Sequence, residues 1–449
     1  MKNIKYDVIV LGSGALGLTV AIGSVLSGKK VLLVEKNKSG GECTWNGCIP
    51  SKAFISLVNK NYSGDVLERV REIQEEVYLN ENPEKLEKMG IVFLKGKGFF
   101  VSENQIQVGE DVYQGKKIII ATGTSPSTPK IPGLDTIKYL NNENFFKMKK
   151  IPRSITFIGG GVISLELAFP LKKLGVEVTI LEVSPTLFSR EDEEIGVYYE
   201  EKLKKEGIKL YLGVGALKLE SSPMGVKISS EEKNLMIESE EIFLSTGRVP
   251  NIEDLKLKNA KIKYDRNGII VDKYLRTTSP NVLSGGDVVG PYRFSHMAGY
   301  HGEVIVRNLL FPLIKKSVDY TSVPWTVFSN PEFSRTGLTK KETKEKYSEY
   351  TIYKLDKSEN DRSLSTSEEY FNLEIIVDKN EKILGASCIG DRSGEIISTI
   401  QFLKSKKIPL YKFADSIQAY PTYGVSLRNL AKKSYINHLT KYLKFFKKN

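Results

Sequence analysis

The feature that most restricts what this chain can fold into is a glycine pattern that occurs twice. Residues 6–11 are apolar and β-branched, GSGALG follows at Gly12 to Gly17, a helix-forming run comes next, and Val31 to Val34 leads to Glu35. That order is the strand, turn, helix and strand of a mononucleotide-binding βαβ unit. Gly12 permits the tight turn, Gly14 lets the backbone approach a pyrophosphate, and Gly17 lets helix and strand pack closely. The helix N-terminus adds positive potential for the phosphates. Glu35, 23 residues beyond Gly12, is placed to accept hydrogen bonds from a ribose.

The unit returns about 150 residues later. Ser154 to Ile158 reads as a strand, GGGVIS follows, a helix is expected from about Leu165 to Leu174, and the strand from Glu177 to Leu181 ends at Glu182. Gly159 and Gly161 match the first two glycines, and Ser164 stands where the third is expected. Two such sites in one chain imply two different dinucleotides with electrons passing between them. The bland alternative is a duplication with one dead site. Glu182 would bond a 2′-hydroxyl and repel a 2′-phosphate, which favours NADH and leaves NADPH open, since Arg190 lies eight residues on.

Composition removes other classes. With 449 residues, 40% apolar and 27% charged, the chain suits two or three globular domains. No apolar run reaches the roughly 18 to 20 residues a bilayer crossing needs, and the opening segment carries glycines where a signal peptide would not. A cytoplasmic enzyme is expected. The net charge of +12 is concentrated: Lys404 to Asn449 holds eleven Lys or Arg against one acid, Asp415, and so carries +10 of it. Nucleic acid is therefore not expected as a partner.

That basic tail reads as an amphipathic helix with Leu427, Leu430, Ala431, Tyr435, Leu439, Tyr442, Leu443 and Phe446 on one side. Such a helix suits peripheral contact with an anionic membrane. The preferred alternative is a dimer-interface helix with a solvated lysine face.

The three cysteines are no disulfide framework; Cys388 stands alone, while Cys43 and Cys48 lie in GGECTWNGCIPSKAF. This pair is redox-active, metal-binding or incidental. Zinc is disfavoured, with no further Cys near and three histidines in the whole chain, so no resident metal is expected. A thiolate near a helix N-terminus and Lys52 is expected to have a lowered pKa, as thiol and disulfide exchange requires.

With GSGALG, CTWNGC followed by SK, ATG at Ala121 to Gly123, GGGVISLE, STGRVPN at Ser245 to Asn251 and GGDV at Gly285 to Val288, the whole chain resembles the flavoprotein disulfide reductases. The resemblance implies an α/β fold: two Rossmann-like dinucleotide-binding domains plus an α+β C-terminal dimerisation domain. The FAD domain would be split over 1–148 and 276–317 around an NAD(P)H domain at 149–275, with dimerisation at 318–449. FAD would be held by Gly12, Gly14, Gly17, Glu35, Ala121, Thr122, Gly123, Gly286 and Asp287. NADH or NADPH would be held by Gly159, Gly161 and Glu182, and Gly247 and Arg248 would contact one of the two cofactors. The resemblance makes Cys48 the flavin-facing thiol and Cys43 the interchange thiol. Lys52 would lie beside the flavin, paired with Glu166.

Members of this family supply a His-Pro-Thr-x-x-Glu element from the other subunit of a homodimer, as general acid and base. Here the stretch reads YPTYGV, so Tyr420 replaces the histidine and Val425 the glutamate. A phenol of ordinary pKa donates a proton readily but is a poor base at neutral pH. Tyr420, LFSREDEE at Leu187, GPYRFSHMAGYHG at Gly290 and VPWTVFSNPEFSRTGL at Val323 resemble the mercuric-reductase branch. The chain nevertheless ends without paired cysteines. The acceptor is left open between small thiol-reactive molecules and metal ions, with dihydrolipoamide dehydrogenase or a flavin-bearing redox sensor as rivals. His296 and His301 are expected to be satisfied helix residues, with a proton relay as the lesser alternative, and His438 is expected at the surface.

Overall fold

The computed structural model describes residues 3–215, 218–231 and 233–448, without the side chains of Asn3, Tyr442 and residues 444–448, so Phe446 of the amphipathic helix lies outside the description. Contacts divide the chain into two compact units: Met1–Ile163, Pro170–Val183 and Val214–Val318 in one, Ser164–Phe169, Ser184–Gly213 and Asp319–Asn449 in the other.

The first unit is built on a parallel sheet. Strand β1 (Asn3–Leu11) pairs with β2 (Val31–Glu35) on one side and β3 (Asp111–Ile120) on the other. Val92–Lys95 extends the sheet beyond β2, a hairpin of Gly98–Ser102 and Gln105–Val108 extends it beyond β3, and Val282–Ser284 also pairs with β3. Both faces are covered. Ile9, Leu11, Leu32 and Val34 enter one core, and their neighbours Val8, Val10, Val31 and Leu33 enter another, so the strands read as continuous apolar runs. Helix α1 (Ala15–Leu26) covers the second face. It lies against a later helix, Ser295–Leu310, so closely that a Cβ on Gly302 would come within 2.7 Å of Thr19 Cβ.

The second glycine turn belongs to a further parallel group in the same unit, β4 (Ser154–Ile158) between β5 (Glu177–Glu182) and Glu241–Leu244. The intervening helix runs from Val162 to Lys173, three residues earlier at its start than the sequence suggests. Gly161 in extended backbone serves as its N-cap, so helical backbone begins directly at the turn.

The second unit carries an antiparallel five-stranded sheet in the order Pro324–Val327, Phe333–Gly337, Ile383–Ile389, Asn372–Asp378, Tyr350–Asp356. Leu373, Ile375, Val377 and Cys388 form its core with Ile396, Ile400, Leu427, Leu430 and Ala431. The last three lie on the C-terminal helix, Val425–Lys448, whose first half is therefore a packed structural helix. Its middle is fixed by Glu381, a fully buried carboxylate that accepts hydrogen bonds from Tyr353 (2.8 Å), Ser434 (2.7 Å), Asn437 (3.0 Å) and Lys441 (3.1 Å). Farther along, Ile436, Leu439 and Leu443 are exposed, and His438 is half-buried, stacked on Tyr411 at 4.1 Å. Among the described residues no helix is long and apolar enough to cross a membrane.

Candidate active site

The turn between β1 and α1 has the geometry its glycines predict. Gly12 adopts φ +103°, and a Cβ there would fall 2.4 Å from the Ala121 carbonyl oxygen. A Cβ on Gly17 would fall 1.9 Å from the Gly12 carbonyl oxygen. Gly14 caps α1 with room beside it, its nearest neighbour for a Cβ being Gly41 Cα at 3.9 Å. Glu35 is buried at the end of β2, where its carboxylate accepts from Ser13 N (2.9 Å), Ser13 Oγ (2.8 Å) and Asn37 N (2.8 Å).

A cavity of about 1820 Å³ runs past Gly12, Gly14 and Glu35, along Ala121 to Thr124 and Gly285 to Asp287, and reaches Cys43 and Ser295. That volume exceeds what a drug-sized ligand needs and suits an extended dinucleotide. The cradle of bare backbone at one end and a dithiol at the other fits FAD. Asp287 lines the cavity beside Thr124, whose hydroxyl donates to it at 3.3 Å. Burial pushes its carboxyl above the ordinary range, against the opposing pull of Arg248. Behind it, Gly286 N donates to His301 Nδ1 at 3.0 Å. His301 is fully buried and burial lowers it to about 4, so it is a neutral acceptor that fixes the Asp287 turn. This is the satisfied helix residue preferred from the sequence over a proton relay. His296 instead stacks on Phe294, centroids 5.3 Å apart.

Cys43 sits in the short helix α2 (Gly41–Trp45), and Cys48 is the first residue of α3 (Cys48–Asn59), with Lys52 one turn on. The two side chains are hydrogen-bonded to each other as thiols. Ser295 Oγ lies 3.2 Å from Cys48 Sγ, at the start of α5 (Ser295–Leu310; α4 is Val162–Lys173). The lowered thiol expected for this pair is not what Cys43 shows. Its thiol is raised, first by its hydrogen bond to Cys48, then by burial and the nearby Cys48 and Glu81 charges, with Ser295 pulling the other way. Two adjacent, partly buried thiols give up one proton between them far more easily than two.

The sequence reading passed over Glu42, although it precedes Cys43 in the quoted run. Its carboxylate pairs with Arg248 Nη2 (2.8 Å) and accepts from Asn46 Nδ2 (2.7 Å) and Asn142 Nδ2 (3.0 Å). Arg248 also donates to Thr124 Oγ1 (2.7 Å) and Thr124 O (2.8 Å), the strand Arg248–Pro250 lying antiparallel to Thr124–Pro126. An unbroken polar chain thus joins the dithiol helix to Asp287. Arg248, expected to bind a cofactor, takes part in this chain, and Gly247 beside it adopts φ +113°.

At the second turn Gly159 has φ +106°, Gly161 and Val162 are exposed, and Glu182 accepts from Gly160 N at 2.5 Å. In the other unit, buried Glu166 accepts from Phe328 N at 3.1 Å. Tyr420 is 71% exposed and donates its hydroxyl to Asp361 at 2.8 Å. Among the described residues no group of three or more His, Cys, Asp or Glu is arranged to hold a metal.

Comparison with known proteins agrees with this geometry. The pyridine nucleotide-disulphide oxidoreductase family matches residues 6–302, and its dimerisation domain matches 323–431. The chain is 29% identical to a mercuric reductase of Staphylococcus aureus, covering 95% of this chain and 82% of that one. It is 28% identical to a dihydrolipoyl dehydrogenase of Geobacillus stearothermophilus, covering 94% of each. Among solved structures it is similar to the HOCl-induced flavoprotein disulfide reductase RclA of Escherichia coli, with a TM-score of 0.90 and 27% identity over 95% of this chain and 99% of that one. A Cu(II) complex of RclA superposes equally well, with a TM-score of 0.90 over 96% of this chain. The chain belongs to the pyridine nucleotide-disulphide oxidoreductases, FAD-dependent enzymes that draw electrons from NAD(P)H.

Proposed function

We propose that this enzyme passes electrons from NADH, by way of its flavin and the Cys43/Cys48 pair, to a thiol-reactive or soft metal acceptor, in the manner of the mercuric-reductase branch. The observation that carries this reading is the dithiol: Cys43 lines the cavity shared with the Gly12 turn, and its neighbour Cys48 stands at the head of α3 with Ser295 at hand. When bound, FAD accepts two electrons from NAD(P)H as hydride and hands them to a disulfide.

Gly12, Gly14 and Glu35 would hold its pyrophosphate and ribose, and Asp287 its ribityl region. Gly161 and Glu182 would position the nicotinamide nucleotide. Lys52 would lie beside the flavin, and its pairing with Glu166 rests on the family resemblance. Cys48 and Cys43 cycle between disulfide and dithiol, and Ser295 orients Cys48. Cys43 attacks the acceptor once its proton has left. In a homodimer, the exposed Tyr420 of one subunit would face that thiol in the other, supplying an oxygen where relatives use histidine. Mercury and Cu(II) appear in the names of related proteins and are the soft or borderline ions a dithiolate prefers.

Anaerobic titration of the holoenzyme with NADH, and separately NADPH, tests the relay. A long-wavelength thiolate-to-flavin absorption at two electrons, reached more readily with NADH, is expected, and Cys43→Ser should lose turnover of thiol-reactive acceptors. Full activity in Cys43→Ser would overturn the route. Robust lipoamide turnover would favour the dihydrolipoyl dehydrogenases, which are also among the similar proteins.

A further inference from the structure

The acid–base pair that YPTYGV lacks is rebuilt from another stretch of chain. Tyr420 donates its hydroxyl to Asp361 Oδ2 at 2.8 Å. Asp361 opens the short helix α6 (Asp361–Ser365), capped by Asn360, whose side chain accepts from Ser363 N at 3.0 Å. Asn360 is 2% exposed, and its amide donates to Ser426 Oγ, itself buried near the start of α7 (Val425–Lys448). Farther along, the Tyr423 hydroxyl bonds Glu368 Oε1 at 2.8 Å and lies 3.0 Å from Thr366 Oγ1. Residues 360–368 are therefore stapled to residues 423–426 at Asn360 and at Thr366 and Glu368, contacts that flank Asp361 along its own segment. Val425, where the family's orienting glutamate would stand, begins α7 and leaves that task to Asp361.

We propose that Tyr420 and Asp361 form a phenol–carboxylate dyad that moves the proton of the interchange thiol, with Tyr420 the catalytic residue and Asp361 its positioning residue and proton store. This rests on the dithiol reading given above. A phenol alone is a poor base at neutral pH. A phenol whose own proton already points at a carboxylate turns its oxygen lone pairs outward. It then accepts the proton of a Cys43 S–H across the dimer while its own proton passes to Asp361. One proton leaves sulfur and one arrives on the carboxylate; Tyr420 ends as a phenol, and no electrons move. The reverse transfer reprotonates the thiolate. The charged groups around the dyad are Arg362 and Glu368 on its own segment, and Asp391, Arg392 and Glu395, which line an adjoining cavity of about 550 Å³ with Tyr423.

The test uses the FAD-loaded full chain, with 5,5′-dithiobis(2-nitrobenzoate) as the disulfide probe. Asp361→Asn should lower kcat at pH 7 about tenfold and recover toward alkaline pH, while NADH reduction of the flavin is unchanged. In NADH-reduced enzyme, the pH midpoint for alkylation of Cys43 by iodoacetamide should rise by about one unit. Tyr420→Phe should match both effects, the double variant should add little, and Asp361→Glu should recover part of the loss. Tyr420→Phe leaves Asp361 in place and answers the question if Asp361→Asn does not fold. Unchanged profiles in Tyr420→Phe and Asp361→Asn, with Cys43→Ser inactive, would overturn the dyad alone. Turnover of the probe that survives Cys43→Ser would overturn the dithiol reading and the dyad with it.

Discussion

The turn at Gly12 and the turn at Gly159 share a backbone and differ in how they are closed. Their first glycines have φ +103° and +106°, and their second, Gly14 and Gly161, have ψ −171° and −177°. Phosphate needs that backbone and bare amides, so both turns keep it. At the third position they part: a Cβ on Gly17 would strike the Gly12 carbonyl, whereas Ser164 carries a side chain and is buried. The acids differ too. Glu35 is buried and accepts three local hydrogen bonds, while Glu182 is half-buried at the end of β5. A sealed turn with a preset carboxylate suits a dinucleotide that stays. An open one suits a dinucleotide that arrives and leaves with each turnover.

The sharpest way to break this comparison is to change the third position of each turn, adding a methyl group at Gly17 and removing the side chain at Ser164. Gly17→Ala puts carbon on a backbone oxygen that cannot move aside, and should cost about 3 kcal/mol or more, yielding protein without bound flavin. Ser164→Gly should cost about 1 kcal/mol in denaturant melts and leave flavin content unchanged. Full flavin occupancy in Gly17→Ala would end the distinction. A smaller effect is expected from the acids. Glu182→Gln should move the kcat/KM ratio toward NADPH by about tenfold, near 1.4 kcal/mol. Glu35→Gln should weaken flavin retention without moving that ratio.

The mildest test is pH. His301 supports the sealed site by accepting from Gly286, and its folded-state value is lowered from 6.5 to about 4. Between those values the unfolded chain takes up a proton that the folded one refuses. The contribution is complete above about pH 6.5 and is lost as pH falls toward 4, by up to about 3 kcal/mol. His301→Asn should flatten that limb of the stability curve. An unchanged limb would remove His301 from the account.

Both turns, their strands and the cysteine pair of α2 and α3 were legible because each depends on local residue order: glycines at 12, 17 and 159 whose backbone angle or close contacts exclude a side chain, and apolar strands buried on both faces. What sequence could not supply is pairing between distant segments. Arg248 was read from its place in STGRVPN as a nucleotide contact, and only the register of Arg248–Pro250 on Thr124–Pro126 turns it toward Glu42. Asp361 lies 59 residues from Tyr420 and carries no local signal. Glu42 did carry one, a carboxylate beside a reactive cysteine. The raised Cys43 thiol was missed because helix and lysine were weighed and the second sulfur was not.

The Glu381 anchor sets practical rules for handling the end of the chain. Its donors from α7 are Ser434, Asn437 and Lys441, so a tag or a cut beyond Lys441 leaves them in place. Deleting 432–449, the obvious way to ask whether the basic tail meets lipid, would instead strip three donors from a buried carboxylate, at about 3 kcal/mol or more. Such a variant would report on unfolding as much as on adhesion. Reversing the charge of the exposed Lys432, which spares the anchor, separates the two.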